Sequence, residues 1–154
     1  MKKKTAFREA WLANHRVNRE LLTAIGEDGL GVSYAPRARN VRRIFVHLHN
    51  TRLNWLGTIL KDPPQILRLK NRDQHNVAAL TEALEQSGRA MADLLANISS
   101  KEVVRGFEWS PESFLAYTIA HEAHHRGQAV LALRLSGNPV PREVLSALWD
   151  WHKA

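Results

Sequence analysis

The sequence contains no cysteine among its 154 residues. Disulfide bonds and thiolate metal sites are therefore excluded, and a bound metal would need histidine, carboxylate, asparagine or backbone oxygen ligands. Chemistry that requires a thiol would have to take that thiol from another molecule. A long apolar run is also missing, because no stretch approaches the ~18 apolar residues of a membrane-spanning helix.

A secretory signal is not predicted either. The basic start of the chain could open one, but Arg8 and Glu9 interrupt the apolar region that would have to follow. We therefore expect a cytoplasmic protein with no membrane association. Hydrophobic residues make up 44% of the chain and charged residues 24%, which is typical of a folded rather than a disordered protein. The length predicts one domain over residues 1–154.

The charge balance is basic, with 22 Lys and Arg against 15 Asp and Glu and a net charge of +7. Such a balance can indicate a nucleic acid or acidic ligand. The densest basic group is Arg37, Arg39, Arg42 and Arg43, and no helix-turn-helix or aromatic-interleaved basic pattern accompanies it. A solvated basic face is the preferred interpretation, and nucleic acid is not expected as a partner.

Hydrophobic periodicity predicts helices throughout, and no run alternates with the period of a strand. Four long helices are predicted at about residues 5–25, 40–60, 74–98 and 110–135, with a short one after Pro141. Asn40, Asp73 and Ser110 are the predicted N-caps. The fourth helix is apolar on nearly every side, which predicts a central position. The expected fold is all-α: a four-helix bundle with a short C-terminal fifth helix.

The fourth predicted helix carries the sequence His121-Glu122-Ala123-His124-His125. His121 and His125 are four residues apart, so both imidazoles lie on one helix face, a spacing that lets two histidines hold one metal ion. The alternative is a pair of packed, hydrogen-bonded imidazoles without metal. His124 lies to the side of this face and is interpreted as a flanking residue or as a hydrogen-bond partner of the ligands.

The same five residues fit the His-Glu-x-x-His pattern of zinc proteases, in which the glutamate is the general base. That interpretation would make Glu122 catalytic. The match is short, and such proteases usually have a longer chain and a strand that aligns the substrate, neither of which is predicted here. A protease is therefore a minor alternative.

A third ligand is expected from another helix, because metal sites in bundles are built from facing helices. His47 and His49 are the candidates, and only one can face the site because they lie about 200° apart around the second helix. The apolar residues of this helix cluster nearer to His49, so periodicity slightly favours His49 as the buried residue. Periodicity cannot distinguish the wall of a core from the wall of a polar pocket.

Asn14 and Asn18 interrupt an otherwise apolar stripe on the first predicted helix. An asparagine in a core needs hydrogen-bond partners. These two residues could sit at a helix edge or bond to backbone. Alternatively, they could help to line the metal pocket.

Two segments carry a resemblance to a known family. The stretch Phe45-Val46-His47-Leu48-His49-Asn50-Thr51-Arg52-Leu53-Asn54-Trp55-Leu56 is similar to the second-helix motif of the DinB/YfiT-like superfamily. The stretch His121-Glu122-Ala123-His124-His125-Arg126-Gly127-Gln128 is similar to its fourth-helix motif, and the tail from Val140-Pro141 to Trp151 also resembles many members. The resemblance implies that His47, His121 and His125 are the metal ligands.

The resemblance also implies function. Zinc or nickel would be the divalent ion, and iron would also suit three imidazoles. Characterised members include thiol-dependent transferases and isomerases, which implies a small-molecule substrate and a low-molecular-weight thiol. The alternatives are a stress-related metal-binding protein without catalysis and a metal-dependent hydrolase. No catalytic residue is assigned.

The C-terminal tryptophans predict an assembly. Trp149 and Trp151 are two residues apart on a short predicted helix, so their indoles point to different sides. One side can pack on the bundle and the other could be covered by a second chain. A homodimer is therefore predicted, as the resemblance also implies, and the alternative is a monomer whose tryptophans close the end of its own bundle.

Overall fold

The computed structural model describes residues 2–98 and 103–151. Within these ranges the chain is all-α, with four long helices and one short helix: α1 Lys2–Gly29, α2 Val41–Ile59, α3 Val77–Asn97, α4 Pro111–Leu135 and α5 Arg142–Ala147. Among the described residues the only extended pairing is an isolated bridge between Val104 and Trp109. The predicted fold class is confirmed.

Two of the three predicted N-caps are confirmed. Asn40 caps α2 by accepting a hydrogen bond from the Arg43 amide at 2.9 Å. Ser110 caps α4 in the same way, and Pro111 follows at the first helical position, where its missing N–H is not needed. In α1 the regular helix breaks at Gly26, which adopts φ 65° and ψ −176° and directly follows the predicted end at residue 25, although helical turns continue to Gly29.

The predicted start of the third helix is wrong by about three residues. Asn76, not Asp73, is the N-cap of α3, and its side chain accepts from the Ala79 amide at 2.8 Å. Asp73 instead forms an ion pair with Arg43, at 2.6 Å. Both residues are good capping types, and the competing ion pair with α2 was not visible in the local sequence.

The four long helices form a ring in which α1 and α2 each pack against both α3 and α4. The prediction that α4 lies at the centre is therefore wrong. The apolar residues of α4 lie on nearly every side for another reason. Polar residues, Thr118 and Glu122, occupy part of its buried face, and the apolar Leu131 and Leu135 are exposed.

The core consists of two apolar clusters with a layer of buried polar residues between them. Each long helix passes from one cluster through this layer to the other. On α1, for example, Trp11 belongs to one cluster and Leu21 to the other. The buried polar and charged residues, which we call the polar layer, are Asn14, His15, Asn18, His49, Arg52, Ser87, Thr118, Glu122 and His125.

The order of the clusters also gives the helix directions. Helices α1 and α4 run from the Trp11 cluster to the Leu21 cluster, and α2 and α3 run the opposite way. Because α2 and α3 are parallel, residues 60–76 must travel back along the bundle between them. Asn50 holds this connection against α2, since its amide donates to the Leu69 carbonyl and its oxygen accepts from the Leu69 amide.

None of the helices in the described ranges combines the length and the apolar character that a bilayer crossing requires. At the C-terminal end, Trp149 is 85% exposed, whereas Trp151 is partly buried and donates from its indole to the Leu148 carbonyl. The two indoles therefore differ in environment, as their spacing predicted.

Candidate metal centre

The structure brings His47 of α2 together with His121 and His125 of α4. We call these three residues the histidine triad. One ring nitrogen from each lies within 4.8 Å of the other two, so a single ion can be within reach of all three. The ring centroids are 4.5 Å apart for His47 and His125 and 4.7 Å apart for His121 and His125. Three neutral imidazoles from facing helices are a donor set suited to zinc, nickel or iron.

The environment keeps the triad uncharged, as metal ligation requires. Burial lowers the pKa of His47 to about 4, and the positive charge of Arg39 adds to this effect. Burial is also the largest cause of the lowered pKa of His121 and of His125. At neutral pH each ring therefore has a lone pair available.

His125 is oriented by its neighbours on α4. Its Nδ1 lies 2.7 Å from Oε1 of Gln128, which can only accept, so Nδ1 carries the proton and donates it. The lone pair is then on Nε2. The amide of Gln128 donates in turn to Nε2 of His124 at 3.1 Å. His124 therefore flanks the triad and holds Gln128, and is not itself hydrogen-bonded to one of the three histidines. Bonds such as that of Gln128 to His125 fix the tautomer of ligating histidines.

His121 gives the most direct indication that the site binds an ion or another ligand. Its Nδ1 is buried and has no hydrogen-bond partner among the described residues. Leaving a buried polar atom unpaired costs about 1–3 kcal/mol, and a ligand at this position would recover that cost. The residues present therefore fit a metal ion.

His49, the alternative third ligand, lies elsewhere in the structure. It is fully buried, as periodicity indicated. Its ring nitrogens contact the carbonyl oxygens of Ala83 on α3 and Leu67 in the connection, at 2.8 and 2.9 Å. His49 joins α2 to its neighbours and is not part of the triad.

Glu122 is at the centre of the polar layer and is fully buried with Arg52. Its two carboxylate oxygens accept from the Arg52 guanidinium at 2.7 and 3.0 Å. The amides of Asn14 and Asn18 each donate to Oε2 at 2.6 Å. The positive charge of Arg52 and these hydrogen bonds outweigh the effect of burial and lower the pKa of Glu122.

This arrangement argues against Glu122 as a general base, and it shows that Asn14 and Asn18 neither sit at a helix edge nor bond to backbone. Glu122 is a fully bonded partner of Arg52, so the geometry gives it no free oxygen with which to act as a general base. The side chains of Asn14 and Asn18 find their hydrogen-bond partners in other side chains. Their amide groups donate to Glu122, and their carbonyl oxygens accept from Arg126 at 2.6 and 3.0 Å. They bind this charged group and do not contribute donors to the triad.

Arg52 and its role were missed from the sequence, although a signal existed. Leu48, Arg52 and Leu56 follow one another at four-residue spacing, and both leucines are buried. An arginine in the middle of a buried stripe indicates a buried acid on a neighbouring helix. Glu122 occupies the matching position on α4, between Thr118 and His125.

His15, also in the polar layer, packs closely on α3. Gly88 makes room for its ring, because a Cβ at Gly88 would lie 2.5 Å from the imidazole. Burial and then the charge of Arg52 lower the pKa of His15 to about 4, from an ordinary value of 6.5.

Acidification should therefore destabilise the metal-free protein. Between pH 6.5 and 4 the unfolded chain binds a proton at His15 that the folded chain does not. The contribution of His15 to the free energy of unfolding is therefore fully present above pH 6.5 and is lost as the pH falls towards 4. The lowering of the His15 pKa from 6.5 to about 4 corresponds to a loss of about 3 kcal/mol in the free energy of unfolding. Denaturant titrations of chelator-treated protein at pH 7 and pH 4 should show at least this loss, because the buried His47, whose pKa is also lowered to about 4, adds to it. The His15→Gln variant should show a smaller loss, and an unchanged pH dependence would contradict the assignment.

A large groove is separate from the triad. It has a volume of about 710 Å³ and lies between the end of α2, the connection and α3, where Leu60, Ile66 and Leu94 line it. No histidine contributes to it. The chemistry of the molecule therefore points to the triad, not to this apolar groove.

The comparison with known families agrees with this geometry. The sequence model of the DinB family matches residues 1–151. The match spans all five helices and includes the three residues of the triad. Among curated proteins, none matches the chain.

Proposed function

The chain belongs to the DinB family, and on this premise we propose that it binds one divalent metal ion through His47, His121 and His125 and acts as a metal-dependent enzyme. We propose zinc or nickel as the ion, with iron also compatible. The proposed reaction is transfer of a low-molecular-weight thiol to a small electrophile. In that reaction the sulfur bonds to the electrophilic carbon, the leaving group departs with its electron pair, and the thiol proton goes to solvent.

The observation that carries the proposal is the convergence of three uncharged imidazoles, and the buried, unpaired Nδ1 of His121 supports it. A divalent ion on three neutral ligands keeps open coordination positions and supplies Lewis acidity that lowers the pKa of a thiol or water. The chain's own part is to hold the rings. Gln128 fixes the proton of His125, and Thr51 lies 3.4 Å from Nδ1 of His47.

The absence of cysteine supports an external thiol, since the protein has none of its own. The fully bonded state of Glu122 argues against the hydrolase alternative in its form with Glu122 as base. A stress-related metal-binding protein without catalysis is the remaining alternative. Thiol consumption in the presence of electrophiles separates it from a transferase, and ester or amide turnover without thiol would support a hydrolase.

Metal should stabilise the protein. Protein purified without a histidine tag should contain about one equivalent of metal by elemental analysis. Binding to the folded state alone contributes about 2.7 kcal/mol at a hundredfold excess over Kd. In a chain of this size that corresponds to a melting temperature higher by roughly 5–10 °C. Thermal melts at pH 7 with and without chelator measure it, and identical curves for metal-loaded protein would contradict a tight site.

The homodimer, the single domain over residues 1–154 and the cytoplasmic location stay predictions. The exposed indole of Trp149 supports the dimer, because a large apolar side chain at a helix end is available to a second copy. Light scattering measures the assembly, and a mass of one chain, 17.5 kDa, would contradict a dimer. The metal proposal does not depend on that result, because all three ligands come from one chain.

A further inference from the structure

Two different surfaces meet at the histidine triad. The first is a small cavity that shares His47 with the triad. We call it the arginine pocket, because polar residues of α2 line it together with four arginines. These are Arg39, Arg43, Arg68 and Arg72. Two of these arginines flank the start of α2 and the other two belong to the connection between α2 and α3.

Most of this positive charge is not neutralised. Asp73 forms an ion pair with Arg43. Within residues 2–98 and 103–151, no carboxylate forms an ion pair with Arg39, Arg68 or Arg72. Positive charge beside three histidines opposes the binding of a divalent cation, since like charges repel. An anion in the pocket would reverse this effect, so the arrangement favours occupation by an anion.

The pocket can hold only part of a ligand. Its volume is about 180 Å³, whereas sites for whole small molecules occupy roughly 300–1,000 Å³. It is also polar, with Asn50, Thr51 and Asn54 among its lining residues. A carboxylate, sulfonate or phosphate group fits such a space, and arginines bind these groups through paired hydrogen bonds. The remainder of the ligand must then lie outside the pocket.

The second surface is aromatic and lies beside His121. We call it the aromatic wall, and it comprises Trp55, Phe107, Trp109 and Tyr117. The rings of Trp55 and Tyr117 lie 5.3 and 6.1 Å from that of His121, centroid to centroid. Tyr117 is 37% exposed and Trp109 is 42% exposed, so part of the wall is open to a ligand.

We propose that the site takes an organic anion whose charged group binds in the arginine pocket and whose apolar, preferably aromatic, part packs on the aromatic wall. This inference rests on the proposed function in one respect, because it places the reactive centre of the substrate between the two surfaces, at the triad. It names a substrate class, and the binding of that class does not itself require metal.

The test uses three probes on the full chain, both as purified and after metal removal. Phenylmethanesulfonate carries both features, benzyl methyl sulfone lacks the charge, and methanesulfonate lacks the ring. Sulfonates are weak metal ligands, so their affinity reports on the side chains. By calorimetric titration, phenylmethanesulfonate should bind at least about tenfold more tightly than either partial probe, a difference of about 1.4 kcal/mol.

Variants then assign the two surfaces. Arg39→Gln and Arg72→Gln should each weaken phenylmethanesulfonate binding by about three- to tenfold and leave the neutral sulfone unchanged. Tyr117→Leu should weaken the two aromatic probes and leave methanesulfonate unchanged. Arg134→Gln is the matched control, because Arg134 is an exposed arginine at the far end of α4, and it should change nothing.

The outcomes separate this inference from the proposed function. Equal affinities for phenylmethanesulfonate and the sulfone, or insensitivity to both Arg39→Gln and Arg72→Gln, would overturn the inference whatever the metal content. If the protein contains no metal as purified but still binds the probes in a charge-dependent and ring-dependent way, the two surfaces are supported and the proposed metal-dependent function is contradicted. Because all the substituted residues are exposed, the variants should fold, and their melting temperatures check this.

Discussion

Replacing Arg52 by methionine is expected to lower the free energy of unfolding by about 3–5 kcal/mol. The reason is that Glu122 would keep its charge in the core after losing the guanidinium that binds both of its oxygens. Arg52 also donates to the Leu84 carbonyl at 3.0 Å, and that acceptor would lose a partner. For a chain of this length the melting temperature should fall by roughly 6–20 °C. Urea titrations of metal-free protein measure the effect.

Three further variants show whether the pair is the cause: Arg89→Met, Glu122→Gln and the double variant. Arg89→Met is the matched control, because Arg89 is 74% exposed and binds Glu85 at the surface, and its loss should cost less than about 0.5 kcal/mol. The double variant Arg52→Met with Glu122→Gln removes both charges and should cost less than the sum of the two single changes. An Arg52→Met cost no greater than that of Arg89→Met would show that the buried pair does not stabilise the fold.

Replacing His47 by leucine is expected to weaken zinc binding by more than about 100-fold. Losses of about 10- to 100-fold are usual when only a supporting residue of a metal site is changed, and His47 is proposed as a ligand itself. The change also leaves both remaining imidazoles on α4, so the site no longer joins two helices. Competition with a zinc-binding dye at pH 7.5 measures the affinity.

His49→Gln is the natural comparison, because His49 is the other histidine of the same segment. It should leave zinc affinity unchanged and lower the stability, since His49 contacts the Ala83 and Leu67 carbonyls. The opposite pattern, with zinc lost on His49→Gln and retained on His47→Leu, would make the triad a cluster of packed imidazoles and not a metal site.

The sequence was most informative where local chemistry decides the structure. Ser110 followed by Pro111 determines the start of α4 without help from the rest of the fold, and four-residue spacing is sufficient to place His121 beside His125. The choice between His47 and His49 is different, because both can be buried. His47 faces a polar pocket with Asn50 and Thr51, and only the packing of α2 against α4 reveals that such a pocket exists.

Buried charge explains most of what the sequence patterns missed. The apolar pattern of α4 gives no clear face, because Glu122 takes a buried position and Leu131 an exposed one. Asn14 and Asn18 were visible as interruptions, but their partner lies more than one hundred residues away in the sequence. Pairings of this kind depend on which helices are neighbours, and that information is absent from any single helical segment.

The ring order of the helices has a consequence for the kinetics of folding. Among the described helix pairs that pack extensively, only α2 and α3 are consecutive in the chain, and that pair is parallel, so folding cannot start from an extensively packed antiparallel hairpin of sequence neighbours. Every other interface requires a long loop to close first, which slows folding relative to an up-and-down bundle. The triad is complete only when α2 meets α4. A metal ion should therefore be captured only after α2 and α4 have packed together, and should slow unfolding more than it accelerates folding if that packing follows the transition state.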